Sequence, residues 1–325
     1  MYFKEELIHL GATDILISPL GIGAWAWGDR IVWGYGKDYD DSDIKSAIET
    51  SLQAGINFLD TAEVYGMGKS ERILNKYAVN YAKANHKSLI IATKFFPFPW
   101  RLWPETLVDA LQASLKRIGV KSVDLYQIHM PFPPMPVETW AKGLALAVDK
   151  GLTRAVGVSN FSVDQMMRTQ SVLSKHGVPL VSNQVQYNLL NRQIEFNGLL
   201  DKCKDSGVSV IAYSPLAKGL LTGKYTPENP PSGVRARFVK PENLKRVQTL
   251  IRLMTEIGRE CSGTGEAKKP AQVALNWLIC KGCVPIPGAK NSQQAHENAG
   301  TLGWRLSSDQ VAALDKASQE IQKLR

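Results

Sequence analysis

The stretch PETLVDALQASLKRIGVKSVDLYQIH, residues 104–129, joins two patterns that together indicate the fold. Its first part carries apolar residues at helical spacing: Leu107, Leu111, Leu115 and Ile118. Pro104 is suited to the first turn of that helix and Gly119 to its end. The segment VDLYQIH (123–129) then has the short, apolar character of a buried parallel strand. A helix followed by a buried strand is the repeating unit of a parallel sheet with crossover helices.

The same alternation runs through the whole chain. Seven further apolar runs are PLGIGAW (19–25), INFLD (56–60), SLIIATK (88–94), RAVGVSN (154–160), LVSNQ (180–184), VSVIAYS (208–214) and CVPIPG (283–288). Helical patterns between them include residues 40–55 and 163–175, the second preceded by a capping box of Ser162 and Gln165. Eight such units predict an α/β fold, a (β/α)8 TIM barrel formed by a single domain over residues 1–325, for which about 250 residues is typical.

The remaining residues lie at the ends and in one insertion. Residues 1–18 precede the first barrel strand, and residues 307–325 read as an extra C-terminal helix. The connection after the seventh strand is unusually long. Its excess, residues 217–268, is rich in Gly, Pro, Lys and Arg, so we expect a lid over the active face. Within it, residues 217–240 should be mobile without a ligand, with trypsin cutting near Arg235 or Arg237.

Composition narrows the functional classes. Hydrophobic residues make up 44% of the chain and charged residues 21%, as in an ordinary globular protein. No apolar run approaches the ~18 residues that span a bilayer, and the N-terminus has no signal-peptide pattern. The net charge is +9, but the basic residues are dispersed, which disfavours nucleic acid. Four cysteines are too few for a disulfide framework, so we expect a cytoplasmic protein.

Polar residues close most of the apolar runs. The runs end at Asp60, Lys94, His129, Asn160, Gln184, Tyr213 and Pro287. In a barrel of this kind the carboxyl ends of the strands build the active site. Polar residues also occur at strand ends simply because those ends meet solvent, a reading that remains open for Asn160 and Gln184. An acid, a lysine and a histidine on one face favour a functional site.

Tyr65 lies in the loop just past Asp60, hence on the same face. A phenol with a pKa near 10 is a weak acid, and a neighbouring ammonium group lowers that pKa. We therefore interpret Tyr65 as a proton donor that Lys94 tunes. Asp60 would keep the lysine charged and in place, while His129 would hydrogen-bond a substrate oxygen. These four residues predict general acid catalysis on a carbonyl group.

A proton donor to a carbonyl oxygen requires a hydride donor to the carbon. The five histidines are scattered without ligand spacing, so we expect no metal and infer a nicotinamide cofactor. The segment PIPGAKNSQQAHENAG (285–300) offers a glycine, Lys290 and a helix start, which together suit a phosphate. Alternatively, Lys290 is an ordinary solvated loop lysine.

Several segments resemble the aldo-keto reductase superfamily. These are NFLDTAEVYG, IIATK, DLYQIHM, VGVSN, AYSPLAKGLLTGK and VPIPGAK…HEN, in the family's order and covering about residues 20–305. The segments AWAWGDRIVWGYG and FPWRL resemble a plant-chloroplast and cyanobacterial branch. The resemblance implies an NADPH-dependent oxidoreductase that reduces aldehydes and ketones. NADP(H) would be the cofactor, Tyr65 the general acid, Asp60 and Lys94 its tuners, and His129 the residue that orients the carbonyl.

The resemblance also implies a cofactor site. Ser159, Asn160 and Gln184 would hold the nicotinamide carboxamide, and Tyr213 would stack on the ring. Gly23 and Trp25, with Asp60 and Pro287, would lie beside that ring. The pyrophosphate would meet Ser214, Pro215, Leu216 and Lys218. The adenosine with its 2′-phosphate would meet Gly288, Lys290, Gln294 and Asn298.

Two other motifs have simpler explanations. GIGAWA, 21–26, fits the dinucleotide pattern G-x-G-x-x-A, but no helical period follows it. CKGC, 280–283, fits a redox pair, but Cys280 ends a helical pattern, where the helix dipole disfavours a thiolate. We therefore expect a loop at the first and ordinary packing at the second.

Aromatic residues follow the first and third strands. We expect Trp27, Trp33, Phe96 and Trp100 to line a substrate pocket, beside Trp25 and Trp103; the alternative is that these rings are core. A small-molecule carbonyl substrate, a monomer and no membrane or nucleic-acid partner complete the expectation. Two rival functions remain. One is a nicotinamide-binding regulatory protein with little turnover, and the other is a lyase or aldolase that uses Lys94 as a Schiff base.

Overall fold

The computed structural model describes residues 6–231, 236, 241–262 and 265–322. Its centre is a sheet of eight parallel strands, each hydrogen-bonded to the next in chain order. Backbone hydrogen bonds from Gly21 N to Pro285 O (2.9 Å) and from Gly23 N to Pro287 O (3.0 Å) join the first of these strands to the last. The sheet is therefore closed, and the predicted (β/α)8 fold is confirmed. The barrel strands are β3 (Ile22–Gly23), β4 (Phe58–Asp60), β5 (Ile90–Phe95), β6 (Val123–Ile128), β7 (Thr153–Ser159), β8 (Leu180–Gln186), β9 (Ser209–Tyr213) and β10 (Val284–Pro285).

Helices surround the barrel. They are α1 (Asp41–Gln53), α2 (Lys69–Ile73), α3 (Asn80–Ala84), α4 (Pro104–Ile118), α5 (Val137–Asp149), α6 (Val163–Ser174), α7 (Gln193–Phe196), α8 (Leu199–Asp205), α9 (Pro241–Glu260), α10 (Pro270–Cys280), α11 (Ser292–Ala299) and α12 (Ser308–Gln322). A π-helical turn, Leu74–Val79, joins α2 to α3, and a kinked 3-10 segment, Ala217–Thr222, follows β9. The predicted capping box of Ser162 and Gln165 is present at the start of α6.

Helix α4 shows how local sequence sets these elements. Pro104 occupies its first turn, where a missing backbone N–H costs nothing. Gly119 ends it at φ +75°, a left-handed conformation that glycine adopts without strain. The predicted apolar stripe is buried and faces α5, where Gly143 allows close approach: a Cβ there would lie 2.8 Å from Pro104 O.

An N-terminal hairpin, which the sequence analysis did not predict, closes the bottom of the barrel. Its antiparallel strands are β1 (Ile8–His9) and β2 (Leu16–Ile17). Leu10, Ile15 and Ile17 pack with the lowest apolar layer of the barrel interior, which includes Phe58 and Leu125. Two-residue strands carry no readable period.

The long connection after β9 contains a helix that the lid prediction did not include. Helix α9 occupies much of the connection and packs against α10, α12 and the kinked 3-10 segment, whose Lys218 and Thr222 lie at the active face. Its buried face consists of Leu244, Val247, Leu250, Ile251, Met254 and Ile257. These apolar residues recur at helical spacing, but the sequence analysis interpreted the segment by its content of Gly, Pro and basic residues. Arg235 and Arg237, where cleavage was predicted, lie outside the described residues.

Candidate active site

A cavity of about 910 Å³ opens at the carboxyl ends of the barrel strands. Most of the residues that the sequence singled out line it. They are Gly23, Trp25, Trp33, Asp60, Tyr65, Phe96, His129, Ser159, Asn160, Gln184, Tyr213, Ser214, Pro215, Leu216, Lys218, Pro287, Gly288, Lys290, Gln294 and Asn298. Lys94 lies directly behind this wall, with 1% of its side chain exposed.

Lys94 connects the proposed proton donor to its acid. Its Nζ forms a salt bridge with Asp60 Oδ1 and donates to Thr61 O at 3.0 Å. The same ammonium lies 3.4 Å from the Tyr65 hydroxyl. The His129 ring meets the Tyr65 ring edge to face, with centroids 5.6 Å apart. Strands β4, β5 and β6 thus bring together the four residues that the sequence predicted to act together.

The electrostatics of this cluster differ from the prediction in one respect. Burial raises the pKa of Tyr65, and the opposing effect of the Lys94 charge does not reverse that direction. Although burial favours a neutral Lys94, the Asp60 charge and the hydrogen bonds to Asp60 and Tyr65 outweigh it, so the pKa of Lys94 is raised. Burial and the Lys94 charge together lower the pKa of His129 to about 3. At neutral pH the site therefore holds a protonated phenol, an ammonium and a neutral imidazole.

The Asp60 carboxylate has partners that the sequence analysis missed. Its Oδ2 accepts hydrogen bonds from Gln127 Nε2 at 3.0 Å and Gln184 Nε2 at 2.8 Å. Gln127 lies on β6, two residues before His129. Period-two alternation would have placed it on the same face as His129, so this signal was available in the sequence.

An ion pair fixes the loop that carries Tyr65. Glu63 accepts from Arg101 Nη1 at 2.5 Å and Nη2 at 3.0 Å. It also accepts from the backbone N–H of Phe96 at 2.7 Å. The loops after β4 and β5 are therefore joined beside Tyr65 by a bidentate contact. Neither Glu63 nor Arg101 was identified from the sequence, because their pairing depends on two loop conformations.

The opposite side of the cavity fits a nucleotide cofactor. Tyr213 donates from its hydroxyl to Asn160 Oδ1 at 2.9 Å, and Asn160 donates to His129 O at 3.1 Å, which links three strand ends. Asn160, Ser214 and Lys218 have positive φ values of 61°, 49° and 56°, a strain that clusters at functional sites. Four lysines reach this wall, which suits a polyanionic ligand: Lys218, Lys224, Lys269 and Lys290.

Two glycines shape the wall between β3 and β10. A Cβ at Gly23 would lie 2.8 Å from Ile286 O, so that position cannot accept a side chain without a shift. Asn298 donates to Gly288 O at 3.3 Å and ties α11 to the same segment. These contacts hold β3, β10 and α11 together where Gly23, Gly288 and Asn298 line the cavity.

The family profile described as aldo/keto reductase family matches residues 19–319. The chain belongs to this family. It is 38% identical over 332 residues to the chloroplastic pyridoxal reductase of Arabidopsis thaliana, covering 99% of this chain and 88% of that protein.

Two solved aldo/keto reductase structures resemble the fold. The glycerol dehydrogenase AKR11B4 from Gluconobacter oxydans matches with a TM-score of 0.82 at 27% identity, covering 98% of this chain and 96% of that one. The thermostable aldo-keto reductase Tm1743, solved with the inhibitor epalrestat, matches with a TM-score of 0.74 at 30% identity, covering 96% and 99%. The family assignment makes this chain a relative of oxidoreductases.

Lys290 has an environment that neither sequence interpretation anticipated. Its Nζ donates to Trp33 O at 2.8 Å and lies 4.5 Å from the centroid of the Tyr39 ring. Its backbone N–H donates to Gln294 Oε1 at 3.0 Å. In this aldo/keto reductase the residue therefore joins the β10–α11 loop to the loop after β3, which excludes a simply solvated lysine.

The aromatic residues divide into three groups. Trp25, Trp33 and Phe96 line the cavity, as expected. Trp27 does not: it is fully buried and its Nε1 donates to Ala289 O at 3.0 Å, so it is core. Trp100 also lies outside the cavity, 72% exposed and stacked on Phe98 with centroids 4.6 Å apart. The next residue, Arg101, is held by Glu63.

The motifs GIGAWA (21–26) and CKGC (280–283) have the simpler structures that the sequence indicated. A non-helical loop follows β3, so GIGAWA is no dinucleotide turn. Cys280 is the last residue of α10, and burial raises the pKa of both Cys280 and Cys283. Neither thiol has the lowered pKa that a redox pair needs.

None of the helices in the described ranges is long and apolar enough to cross a membrane.

Proposed function

We propose that this protein is an NADPH-dependent carbonyl reductase that converts aldehydes and ketones to alcohols and favours aromatic aldehydes. One observation carries the proposal: a protonated Tyr65 lies 3.4 Å from a charged Lys94 on the wall of a cavity that it shares with a neutral His129. A proton donor and a neutral hydrogen-bond donor on one wall suit a carbonyl oxygen.

The chemistry of the residues follows from their protonation states. NADPH, when bound, supplies a hydride to the carbonyl carbon. Tyr65 gives its hydroxyl proton to the carbonyl oxygen, and the adjacent Lys94 ammonium stabilises the phenolate that remains. Asp60 keeps that ammonium in place through its salt bridge. His129, neutral at working pH, donates a hydrogen bond that orients the oxygen.

Phosphate recognition supports NADPH over NADH. Lys218, Lys224, Lys269 and Lys290 line one cavity, while Lys269 also pairs with Glu297 at 2.6 Å. A pyrophosphate needs fewer cations than this wall offers, and a 2′-phosphate would use the surplus. Ser159, Asn160 and Gln184 would face the carboxamide, with Tyr213 against the ring. Gly288, Gln294 and Asn298 would meet the adenosine.

The substrate wall suits flat or apolar aldehydes. Trp25 and Trp33 meet edge to face with centroids 5.5 Å apart, and Trp25 lies 6.4 Å from the Tyr65 ring. Phe96 borders His129 on the other side, at 5.7 Å. Rings that frame the proton donor favour an aromatic substrate. The Arabidopsis relative named a pyridoxal reductase makes pyridoxal, a small aromatic aldehyde, the first compound to test.

The rival functions receive less support. An aldolase would need a neutral Lys94 amine as nucleophile, but this amine is buried against Asp60 with a raised pKa. A regulatory protein that binds nicotinamide without turnover would not require the four residues to be assembled. The free cysteines suit the reducing cytoplasm, and we expect a monomer, which size-exclusion chromatography with light scattering would test.

A substrate panel tests the proposal directly. Benzaldehyde, pyridoxal, acetaldehyde and acetone are each mixed with enzyme and NADPH, and cofactor oxidation is followed by its absorbance. We expect turnover with both aromatic aldehydes and its loss in Tyr65→Phe. NADPH binding with no turnover on any compound would favour the regulatory alternative.

A further inference from the structure

Three aromatic rings form a continuous row from the cavity to the protein surface. Phe96 lines the cavity, and its ring centroid lies 5.7 Å from that of His129. The Phe98 ring follows at 4.6 Å from Phe96, and Trp100 stacks on Phe98 at 4.6 Å with the ring planes 7° apart. Phe98 is half-buried, whereas Trp100 is 72% exposed. We call Phe96, Phe98 and Trp100 the aromatic track, because their rings join the proposed carbonyl-orienting residue to solvent.

Local sequence and one ion pair hold the aromatic track in place. In FPFPW (96–100) a proline follows each phenylalanine and fixes its own φ, which restricts the loop. Arg101 donates from Nη1 to Phe96 O at 2.7 Å, and its Cζ lies 5.3 Å from the centroid of the Phe98 ring. The guanidinium is itself paired with Glu63. The exposed end of the aromatic track is therefore part of a braced loop.

The exposed rings belong to the substrate side of the cavity. Single exposed apolar residues are ordinary, but a contiguous apolar surface marks a binding site. A second loop contributes to this surface: Phe132, which follows β6, is 39% exposed and its ring lies 6.1 Å from that of Phe96. Met130, in the same loop as Phe132, lines the cavity. The aromatic track is thus continuous with the wall around His129, where the carbonyl group of the substrate is proposed to bind.

We propose that the aromatic track is a second substrate subsite, which binds the distal apolar part of an elongated aldehyde outside the cavity. Much of the cavity wall is assigned to the nucleotide, so a long substrate with its carbonyl at Tyr65 and His129 extends along Phe96 to Phe98 and Trp100. The substrate class is therefore an aldehyde at the end of a long apolar group, whereas a one-ring aldehyde ends at Phe96. The inference rests on the proposed function, because it requires the carbonyl to react at Tyr65.

Two aldehydes that differ only in chain length provide the test. The compounds para-methoxybenzaldehyde and para-hexyloxybenzaldehyde have the same ring and the same electron-donating oxygen, so the reactivity of their carbonyl groups is matched. KM and kcat are measured for each with saturating NADPH. We expect KM for the hexyloxy compound to be lower by about tenfold, because its chain covers apolar surface of Phe98 and Trp100. The value of kcat should be similar for both, because this contact is present before and during the reaction.

Variants of the exposed tryptophan test the outer end of the aromatic track. Trp100→Ala should raise KM for the hexyloxy compound about fivefold and leave KM for the methoxy compound unchanged. Trp100→Phe keeps an aromatic ring and should retain most of the preference. Phe196→Ala is the control, because Phe196 is 62% exposed but lies in α7, after β8. It should preserve the wild-type ratio of the two KM values.

Four outcomes would contradict the inference. One is an equal KM for the two aldehydes in the wild-type protein, which decides the question without any variant. Another is an unchanged ratio in Trp100→Ala, whose folding is checked by its melting temperature. The third is an equal loss of the preference in Phe196→Ala. The fourth is a wild-type dimer, seen by light scattering, that dissociates in Trp100→Ala without any preference for the longer aldehyde, which would assign the exposed ring to a contact between two copies.

The methoxy compound separates these outcomes from failure of the proposed function. If the wild-type protein reduces it and Tyr65→Phe does not, the proposed function stands and only the second subsite is refuted. Absence of turnover of both aldehydes by the wild-type protein with NADPH bound would overturn the proposed function and the inference together.

Discussion

The Lys94 ammonium lies between Asp60 Oδ1 and the Tyr65 hydroxyl, 3.4 Å from the latter, with almost no contact with solvent. One buried cation therefore serves a structural carboxylate and the proposed proton donor together. Removing it should affect stability and catalysis through separate partners, and the two effects can be measured apart.

Lys94→Met leaves the Asp60 carboxylate buried without its counter-ion. We expect a loss of about 3–5 kcal/mol in the free energy of unfolding, as measured by urea denaturation, and loss of carbonyl reduction. The double variant Asp60→Asn with Lys94→Met should recover most of the stability and none of the activity. Recovery of activity in the double variant would show that the ammonium does not tune Tyr65.

The pH dependence of kcat/KM for reduction should show no titration of His129. Because the pKa of His129 is lowered to about 3, its imidazole stays neutral over the working range. Reduction needs a protonated Tyr65, so activity should be present below the raised Tyr65 pKa and fall as pH rises through it. We expect kcat/KM for reduction to be flat from about pH 5 to about pH 7.5, around the ordinary histidine pKa of about 6.5. An inflection near that value that disappears in His129→Gln would contradict the assignment.

Substitution of Lys290 should weaken the binding of both the cofactor and the substrate. If it meets the 2′-phosphate, Lys290→Met narrows the preference for NADPH over NADH by about tenfold or more, since a charge-assisted contact is lost. Because Nζ also holds Trp33 O, KM for benzaldehyde should rise as well. Dissociation constants and steady-state kinetics measure the two effects. Lys37→Met is the control, because Lys37 is exposed and lies in the loop after β3 that also carries Trp33. Equal wild-type affinity for the two cofactors would refute the phosphate assignment.

Three tryptophan variants distinguish a ring in the cavity wall from a ring outside the cavity and a ring in the core. Trp33→Ala should reduce the preference for benzaldehyde over acetaldehyde chiefly through KM, because apolar contact in the cavity is lost at about 25 cal/mol per Å². Trp100→Ala should leave the preference unchanged, because that ring lies outside the cavity. Trp27→Ala should instead cost about 3–5 kcal/mol of stability as a core truncation. A changed preference between these two aldehydes in Trp100→Ala would mean that the outer ring contacts even small substrates.

The parts of the fold that could be predicted are those encoded locally. Each barrel strand is an apolar run, and most of these runs end at a polar residue, so Asp60, Lys94 and His129 could be placed on one face. Helix α4 could be predicted from Pro104 at its start, Gly119 at its end and its apolar stripe.

The rest depends on contacts between distant segments. Trp27 and Trp33 lie in one glycine-rich loop, and the sequence does not show which ring turns inward; the hydrogen bond from Trp27 to Ala289 O decides it. The reach of Gln127 to Asp60 depends on strand register and on the space left at Gly157. The contact of Lys290 with Trp33 O joins residues 257 positions apart.

The most direct test of the account is a single-turnover measurement of benzaldehyde reduction by Tyr65→Phe with NADPH already bound. Phenylalanine keeps the ring against His129 and Trp25 and removes only the hydroxyl. The account predicts a chemical step slower by about 10²–10⁴, with the dissociation constant for NADPH nearly unchanged. Near wild-type chemistry in Tyr65→Phe would contradict the assignment of Tyr65 as the proton donor.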